Sequence, residues 1–425
     1  MATSAKAGRF IAAVLLAAGL GGMPAFAGGP PAAPDPLPAT ADEARPAAPL
    51  MIDARIVGDQ KRTRFIADLT ANIDVVVFML ADPYRVVVDL PELRFGLPEN
   101  AGSEGRGMIS EYRYGQISPG KSRIVLDVTG PVSVDKSFVV APAENQPARL
   151  VIDMVPATRA AFLAASRAYR ESQAAIETSQ HDRELAAPGA ATTGRPVVVL
   201  DPGHGGIDNG TRGATGVLEK EVTLAFANVL RDKLQKTGLY DVFLTRIDDS
   251  FVSLPDRVAF AQSHHASLFV SIHANSFPSE AVRGTTIYTV SEKASDKMAE
   301  DVAKSENQSD VLAGLDMSNG DSDQVKDILI DLTRRETRNF GTVFAHNLVQ
   351  ELKASNRMFK VPHQEAGFRV LEAPDVPSAM VELGFMSNAD DEKLLLSDDW
   401  RQKTADSMAG AIAGYFKTKL ARASE

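Results

Sequence analysis

The sequence predicts an α/β catalytic domain with a mostly parallel central sheet covered by helices, preceded by a small all-β sandwich domain. Three observations carry this reading. From Arg195 onward, apolar runs of strand length alternate with helical segments, the pattern of a covered parallel sheet. Between residues 50 and 156, short β-branched runs are separated by turn residues, the pattern of an all-β module. Residues suited to holding a metal fall directly after, or inside, the apolar runs of the second region, which is where sites of such sheets lie.

The start of the chain reads as an export signal. Lys6 and Arg9 give a positive start, residues 10–20 form an apolar core too short to span a bilayer as a helix, and Ala25-Phe26-Ala27 is a small-residue cleavage site. Residues 1–27 are expected to be a signal peptide, with the mature chain starting near Gly28; an uncleaved anchor is the alternative. Residues 28–49 are rich in Pro and Ala without periodicity and are expected to form a disordered leader. The 425 residues suffice for two domains with accessory segments. A net charge of -10 argues against a nucleic-acid surface, which is basic. The chain has no cysteine. Disulfides and thiol nucleophiles are thereby excluded, and any metal must be held by nitrogen and oxygen.

Within the β module (residues 50–156) one pattern recurs three times: Arg85-Val86-Val87-Val88-Asp89-Leu90, Arg123-Ile124-Val125-Leu126-Asp127-Val128 and Arg149-Leu150-Val151-Ile152-Asp153-Met154. On a strand, Arg, the middle apolar residue and Asp share one face, and the other three apolar residues share the opposite one. A sheet with one dry and one mixed face suits a sandwich. The mixed face reads either as a ligand-binding surface or as solvated Arg–Asp pairs.

Residues 157–194 are expected to be a helical linker ending in a Pro/Gly/Thr break. The catalytic domain (195–421) follows. Strands are expected at 197–200, 241–245, 268–272, 285–290 and 380–383. Helices are expected at 219–236, 255–262 and 400–420. An insertion at 291–355 is longer than a crossover needs. Its first part, 297–310, is polar and acidic; its second, 323–352, is amphipathic.

Four residues carry the candidate chemistry. His204 lies in Asp201-Pro202-Gly203-His204-Gly205-Gly206, where glycines let the chain bend and expose the ring. Glu219 opens a helix. His273 ends the run Ser271-Ile272-His273-Ala274-Asn275, with Asn275 beside it. Two imidazoles and one carboxylate leave the fourth position of a tetrahedral zinc open for water. Glu382 sits inside a buried-type strand, where a carboxylate is costly unless it has a partner or a role. It is the candidate base. Asp201 is the candidate acceptor orienting one of the rings.

Residues 196–419 resemble the zinc N-acetylmuramoyl-L-alanine amidases of the cell-division type. The resemblance rests on Val199-Leu200-Asp201-Pro202-Gly203-His204-Gly205-Gly206, the Glu219 helix start, Phe269-Val270-Ser271-Ile272-His273-Ala274-Asn275 and Val381-Glu382-Leu383-Gly384-Phe385-Met386-Ser387-Asn388. The β module resembles the AMIN domain. The resemblance implies one Zn2+ on His204, Glu219 and His273, with Glu382 as proton carrier. It also implies peptidoglycan as substrate and a periplasmic location. A helix in the insertion is expected to cover the zinc and fill its open position with a glutamate; Glu306 is the candidate and Glu300 the second choice. A LytM-domain activator is the expected partner, acting on 323–352. Arg246 could meet a peptide carboxylate, although a surface pair with Asp248 or Asp249 is the favoured reading. The alternatives are a zinc carboxypeptidase or endopeptidase acting on wall peptides, and a wall-binding scaffold without activity.

Overall fold

Strand alternation decides which side of each β-sheet is buried, and the two halves of the chain use it differently. The computed structural model describes residues 48–98, 100–118, 120–143, 146–169, 194–315 and 328–423. The expected signal peptide, nearly all of the leader, most of the linker (170–193) and part of the insertion (316–327) lie outside the described residues.

In the β module, β1 (Leu50–Gly58), β2 (Thr63–Leu69), β5 (Arg94–Phe95), β8 (Val132–Val140) and β9 (Ala148–Pro156) form one sheet in the order β5-β1-β2-β9-β8. The second sheet contains β3 (Val76–Leu80), β4 (Arg85–Pro91), β6 (Ile109–Ser118) and β7 (Lys121–Val128) in the order β3-β4-β7-β6. The three repeats fall on β4, β7 and β9. Their Val86, Val88, Leu90, Ile124, Leu126, Leu150, Ile152 and Met154 all enter one core between the sheets. Val87 and Val125 point the other way and join a separate apolar cluster. Residues 159–169 form a helix, α1. It is docked rather than free: Phe162 is buried against Tyr84, with ring centroids 5.0 Å apart, and Tyr169 stacks on Phe78 at 3.7 Å.

The second sheet system comprises β10 (Val197–Pro202), β11 (Asp241–Leu244), β12 (Leu268–His273), β13 (Thr285–Val290), β14 (Met358–Ala366) and β15 (Ser378–Glu382) in the order β11-β10-β12-β15-β13-β14. The first four strands of that order are mutually parallel. β13 runs antiparallel to β15, and β14 runs parallel to β13. β14 has no counterpart among the expected strands. Pro362 interrupts its pattern, and it lies at the sheet edge, where proline is tolerated.

Helices cover both faces. On one side, α2 (Glu219–Lys236) packs Val222, Phe226, Leu230 and Leu234 against Leu200, Val270 and Ile272; α6 (Ile328–Leu352) and α8 (Asp398–Ala423) join the same cluster. Each such buried side chain stabilises the fold by about 1.5–3 kcal/mol. On the other side lie α3 (Leu254–Ser263), α4 (Lys297–Glu306), α5 (Ser309–Leu312) and a 3-10 turn at Arg369–Leu371. Although the first part of the insertion reads as polar, α4 buries Ala299, Val302, Ala303 and Glu306 along one face, the first three against Tyr288, Phe368 and Met380. α7 (Ala389–Leu395) precedes α8. Among the described residues, no helix is long and apolar enough to cross a membrane.

Candidate active site

The register of the central strands assembles the site. β12 and β15 are parallel neighbours, and their pairing sets His273 beside Glu382 at the carboxyl ends. β10, on the other side of β12, runs into the loop that carries His204. α2 starts with Glu219, whose N–H donates to Thr211 O at 2.8 Å. His204 adopts φ 60°, in the left-handed region that side chains rarely enter. Gly203 before it is required by space: a Cβ there would lie 2.3 Å from the His273 ring.

Four buried donor atoms converge. Glu219 Oε1 lies 3.1 Å from His204 Nε2 and 3.3 Å from His273 Nδ1. Glu306 Oε2, from the end of α4, lies 3.0 Å from His273 Nδ1 and 3.6 Å from His204 Nε2. His204, His273 and Glu306 offer ligand atoms all within 4.8 Å of one another. Each of those three atoms is buried without a hydrogen-bond partner. Buried polar atoms are normally paired, so lone pairs aimed at a common point fit a bound cation. Nitrogen and carboxylate oxygen in this number are a donor set that zinc accepts.

The protonation pattern agrees. Burial alone would lower the pKa of both imidazoles. The nearby carboxylates of Glu306 and Glu219 instead push His273 up to about 10, and Asp208 and Glu219 hold His204 well above its ordinary value. Burial would raise Glu219, yet His204 and His273 hold it far below the usual carboxylate range. The cluster is thus a strongly negative pocket that favours positive charge.

The acceptor that orients His204 is Asp208, not Asp201. His204 Nδ1 lies 2.9 Å from Asp208 Oδ2, which leaves Nε2 to face the cluster. Asp208 also accepts from Ser309 Oγ and, at 3.0 Å, from Gly210 N. Against burial, these contacts bring its pKa down to about 2. Asp201 instead accepts from Thr245 Oγ1 (2.6 Å), Ser271 Oγ (2.7 Å) and Arg257 Nη1 (2.7 Å). Its carboxylate is wholly used as a structural anchor. Arg257, absent from the sequence reading, is 2% exposed and also donates to Pro202 O and His204 O.

Arg246 is neither a surface ion pair nor a group presented to solvent. It is buried, and it donates to Pro202 O (3.0 Å), Gly203 O (2.9 Å), Lys220 O (2.8 Å) and Asp248 O (2.9 Å). It ties the His204 loop to the start of α2. Glu300 lies on the exposed side of α4, paired with Lys297 and Lys304. Of the two candidate glutamates, only Glu306 reaches the donor cluster.

Glu382 is fully buried. Its Oε2 accepts from Asn275 N at 3.0 Å and its Oε1 from Asn275 Nδ2 at 3.3 Å. Burial, with Glu306 and Glu219 adding to it, raises its pKa to about 8 against the opposing pull of His273. A carboxyl group that titrates near neutral pH can take and return a proton.

A donor set for a cation beside such a carboxyl is an arrangement that hydrolases use to activate water. The comparisons specify which kind. Residues 198–414 match the family model described as N-acetylmuramoyl-L-alanine amidase, and residues 52–154 match the AMIN domain. The chain is 33% identical over 385 residues to N-acetylmuramoyl-L-alanine amidase AmiC of Neisseria meningitidis serogroup B, covering 88% of this chain and 91% of that protein. It is 33% identical over 384 residues to AmiC of Escherichia coli O6:H1, covering 86% and 89%. The solved catalytic domain of CwlV, an N-acetylmuramoyl-L-alanine amidase from Bacillus (Paenibacillus) polymyxa, is 27% identical, covers 52% of this chain and 98% of that one, and has a TM-score of 0.38.

The chain belongs to the N-acetylmuramoyl-L-alanine amidase family, with an AMIN domain in front of the catalytic domain. It is an amide hydrolase of the N-acetylmuramoyl-L-alanine amidase class.

Proposed function

We propose that this amidase is zinc-dependent, works in the periplasm on the amide joining the lactyl group of N-acetylmuramic acid to L-alanine, and is kept inactive by Glu306 until daughter cells separate. The convergence of four buried donor atoms next to Glu382 carries this reading. His204, Glu219 and His273 are the resident ligands, and Glu306 takes the place a water needs. When bound, zinc lowers the pKa of a coordinated water towards about 7 and polarises the scissile carbonyl.

The protein residues divide the remaining work. Glu382 takes a proton from the attacking water and delivers it to the departing amine of L-alanine. Asn275, with its N–H and its amide, holds the Glu382 carboxyl in place. Asp208 fixes the His204 ring. Glu306 must leave before substrate enters, which calls for a partner that withdraws α4. A LytM-domain activator acting on the amphipathic second part of the insertion is the proposed agent; α6 is the described portion of that segment. The export-type start of the chain supports the periplasmic location.

Metal analysis combined with dye release from labelled sacculi tests this reading. One zinc per chain, loss of activity on chelation, and products bearing a free L-alanine amine are expected. Glu306→Ala should keep zinc and raise activity without activator by about tenfold or more, since an open ligand position restores the water site. Murein digestion by exhaustively chelated protein would remove the zinc assignment. A Glu306→Ala protein no faster than the parent would remove the inhibitory role.

A further inference from the structure

Two of the three arginines of the repeated β-module pattern, Arg85 and Arg123, have an occupant. Glu306 ends α4, and the chain turns through Asn307 and Gln308 into α5 and then to Gly314. The last carbonyls of a helix lack intrahelical partners. Here they meet the outer face of the β3-β4-β7-β6 sheet. Arg85 Nη1 donates to Val311 O. Arg113 Nε, on β6, donates to Leu312 O at 3.4 Å. Arg123 Nη1 donates to Ala313 O at 3.1 Å and Gly314 O at 3.0 Å, while its Nε and Nη2 hold Asp89 at 2.5 and 2.9 Å. Three guanidinium groups thus serve four consecutive carbonyls.

Apolar contact follows the same line. Ala313 is buried with Phe78, Leu80, Val87 and Val125 of the β module and with Ile207 and Phe251 of the catalytic domain. Gly314, at φ 74°, sits so close to the sheet that a Cβ would meet Val125 Cγ2 at 3.1 Å and Val87 Cγ2 at 3.3 Å. Arg85 and Arg123 are 2% and 6% exposed. The two repeat arginines on this face are therefore neither solvated nor free for a ligand. The third repeat behaves differently: Arg149, in the other sheet, pairs with Asp68 and is about a third exposed.

We propose that this face is a docking site for the 311–314 turn, through which the β module holds the inhibitory helix over the active site. The proposal rests on the inhibitory reading of Glu306. Two links join the residues just before the turn to the catalytic domain. Ser309 Oγ bonds Asp208, which orients His204. Asp310 Oδ1 accepts from Leu254 N at 2.9 Å. Freeing the turn from the sheet removes the support on one side of Glu306. A ligand of the β module that claims these guanidinium groups competes directly with the closed helix.

The test uses the full mature chain and two readouts: hydrogen–deuterium exchange over residues 297–314, and dye release without activator. Arg123→Met and Arg85→Met are compared with Arg149→Met, which removes the same pattern residue from the sheet that does not touch the turn. Gly314→Val attacks the contact from the other side and leaves the β module's sequence intact, so it covers the case in which an arginine variant fails to fold. Faster exchange over 297–314 and at least a threefold rise in basal hydrolysis are expected for Arg123→Met, Arg85→Met and Gly314→Val, with Arg149→Met like the parent. Unchanged exchange in folded Arg123→Met and in Gly314→Val overturns the docking role. Faster exchange with unchanged hydrolysis leaves the docking intact and instead overturns inhibition by Glu306.

Discussion

Asp201 and Arg257 form the most enclosed ion pair described, and they brace the loop that carries His204. Replacing Asp201 with Asn strands a buried guanidinium, so Asp201→Asn should cost about 3–5 kcal/mol in chemical denaturation. Burial alone would raise the Asp201 pKa; Arg257, Thr245 and Ser271 outweigh it and hold the pKa below the ordinary 3.8. A depressed carboxylate stabilises the fold above its unfolded pKa and loses that contribution as pH falls through the folded one. The acid limb of stability should therefore lie below about pH 3.8 and become shallower in Asp201→Asn. Glu382 has the opposite sign. Its pKa is raised from 4.5 to about 8, so in chelated protein its contribution is complete below pH 4.5 and fades as pH climbs towards 8. Glu382→Gln should erase that slope, keep zinc, and slow sacculus digestion by about 10²–10⁴-fold. The sequence already pointed to His204, His273 and Glu382, because each adjoins or interrupts an apolar strand. Asp208 escaped notice because an Asp four residues after a His in a Gly-rich loop reads as a turn residue. Arg246 was misjudged because nearby Asp248 and Asp249 offered an easier exposed pairing than four backbone carbonyls.

At the scale of elements, α2 does two jobs with two faces. Its first residue supplies Glu219, and its apolar stripe anchors the helix in the core. Leu230→Ala should lower stability by about 2–5 kcal/mol, read by urea denaturation, through a cavity far from the reacting atoms. The stripe was legible because period 3.6 survives any choice of neighbours. β14 was not, because an edge strand carrying Pro362, His363, Gln364 and Glu365 shows no clean alternation. α4 lay between these cases. Lys297, Glu300, Asp301 and Lys304 give it a charged appearance, and its buried side uses small residues that composition alone does not mark.

For the whole molecule, the repeated Arg–Asp pattern correctly sorted each β4, β7 and β9 side chain to a face, since strand period is independent of context. What packs on that face was beyond such reasoning. The contact joins Arg85 to Val311 and Arg123 to Ala313 across 226 and 190 residues, and spacing carries no information at that range. The helical linker expected at 157–194 is described in its first part, where α1 packs its Phe162 into the module before the chain leaves it.

β15 is the last strand to be synthesised, yet it lies between β12 and β13 and brings Glu382 beside His273. A growing polypeptide therefore lacks Glu382 beside His273 until its last strand has entered the middle of the sheet. Copies cut short before β15 are missing that carboxyl altogether, so truncation takes the proposed proton carrier with it.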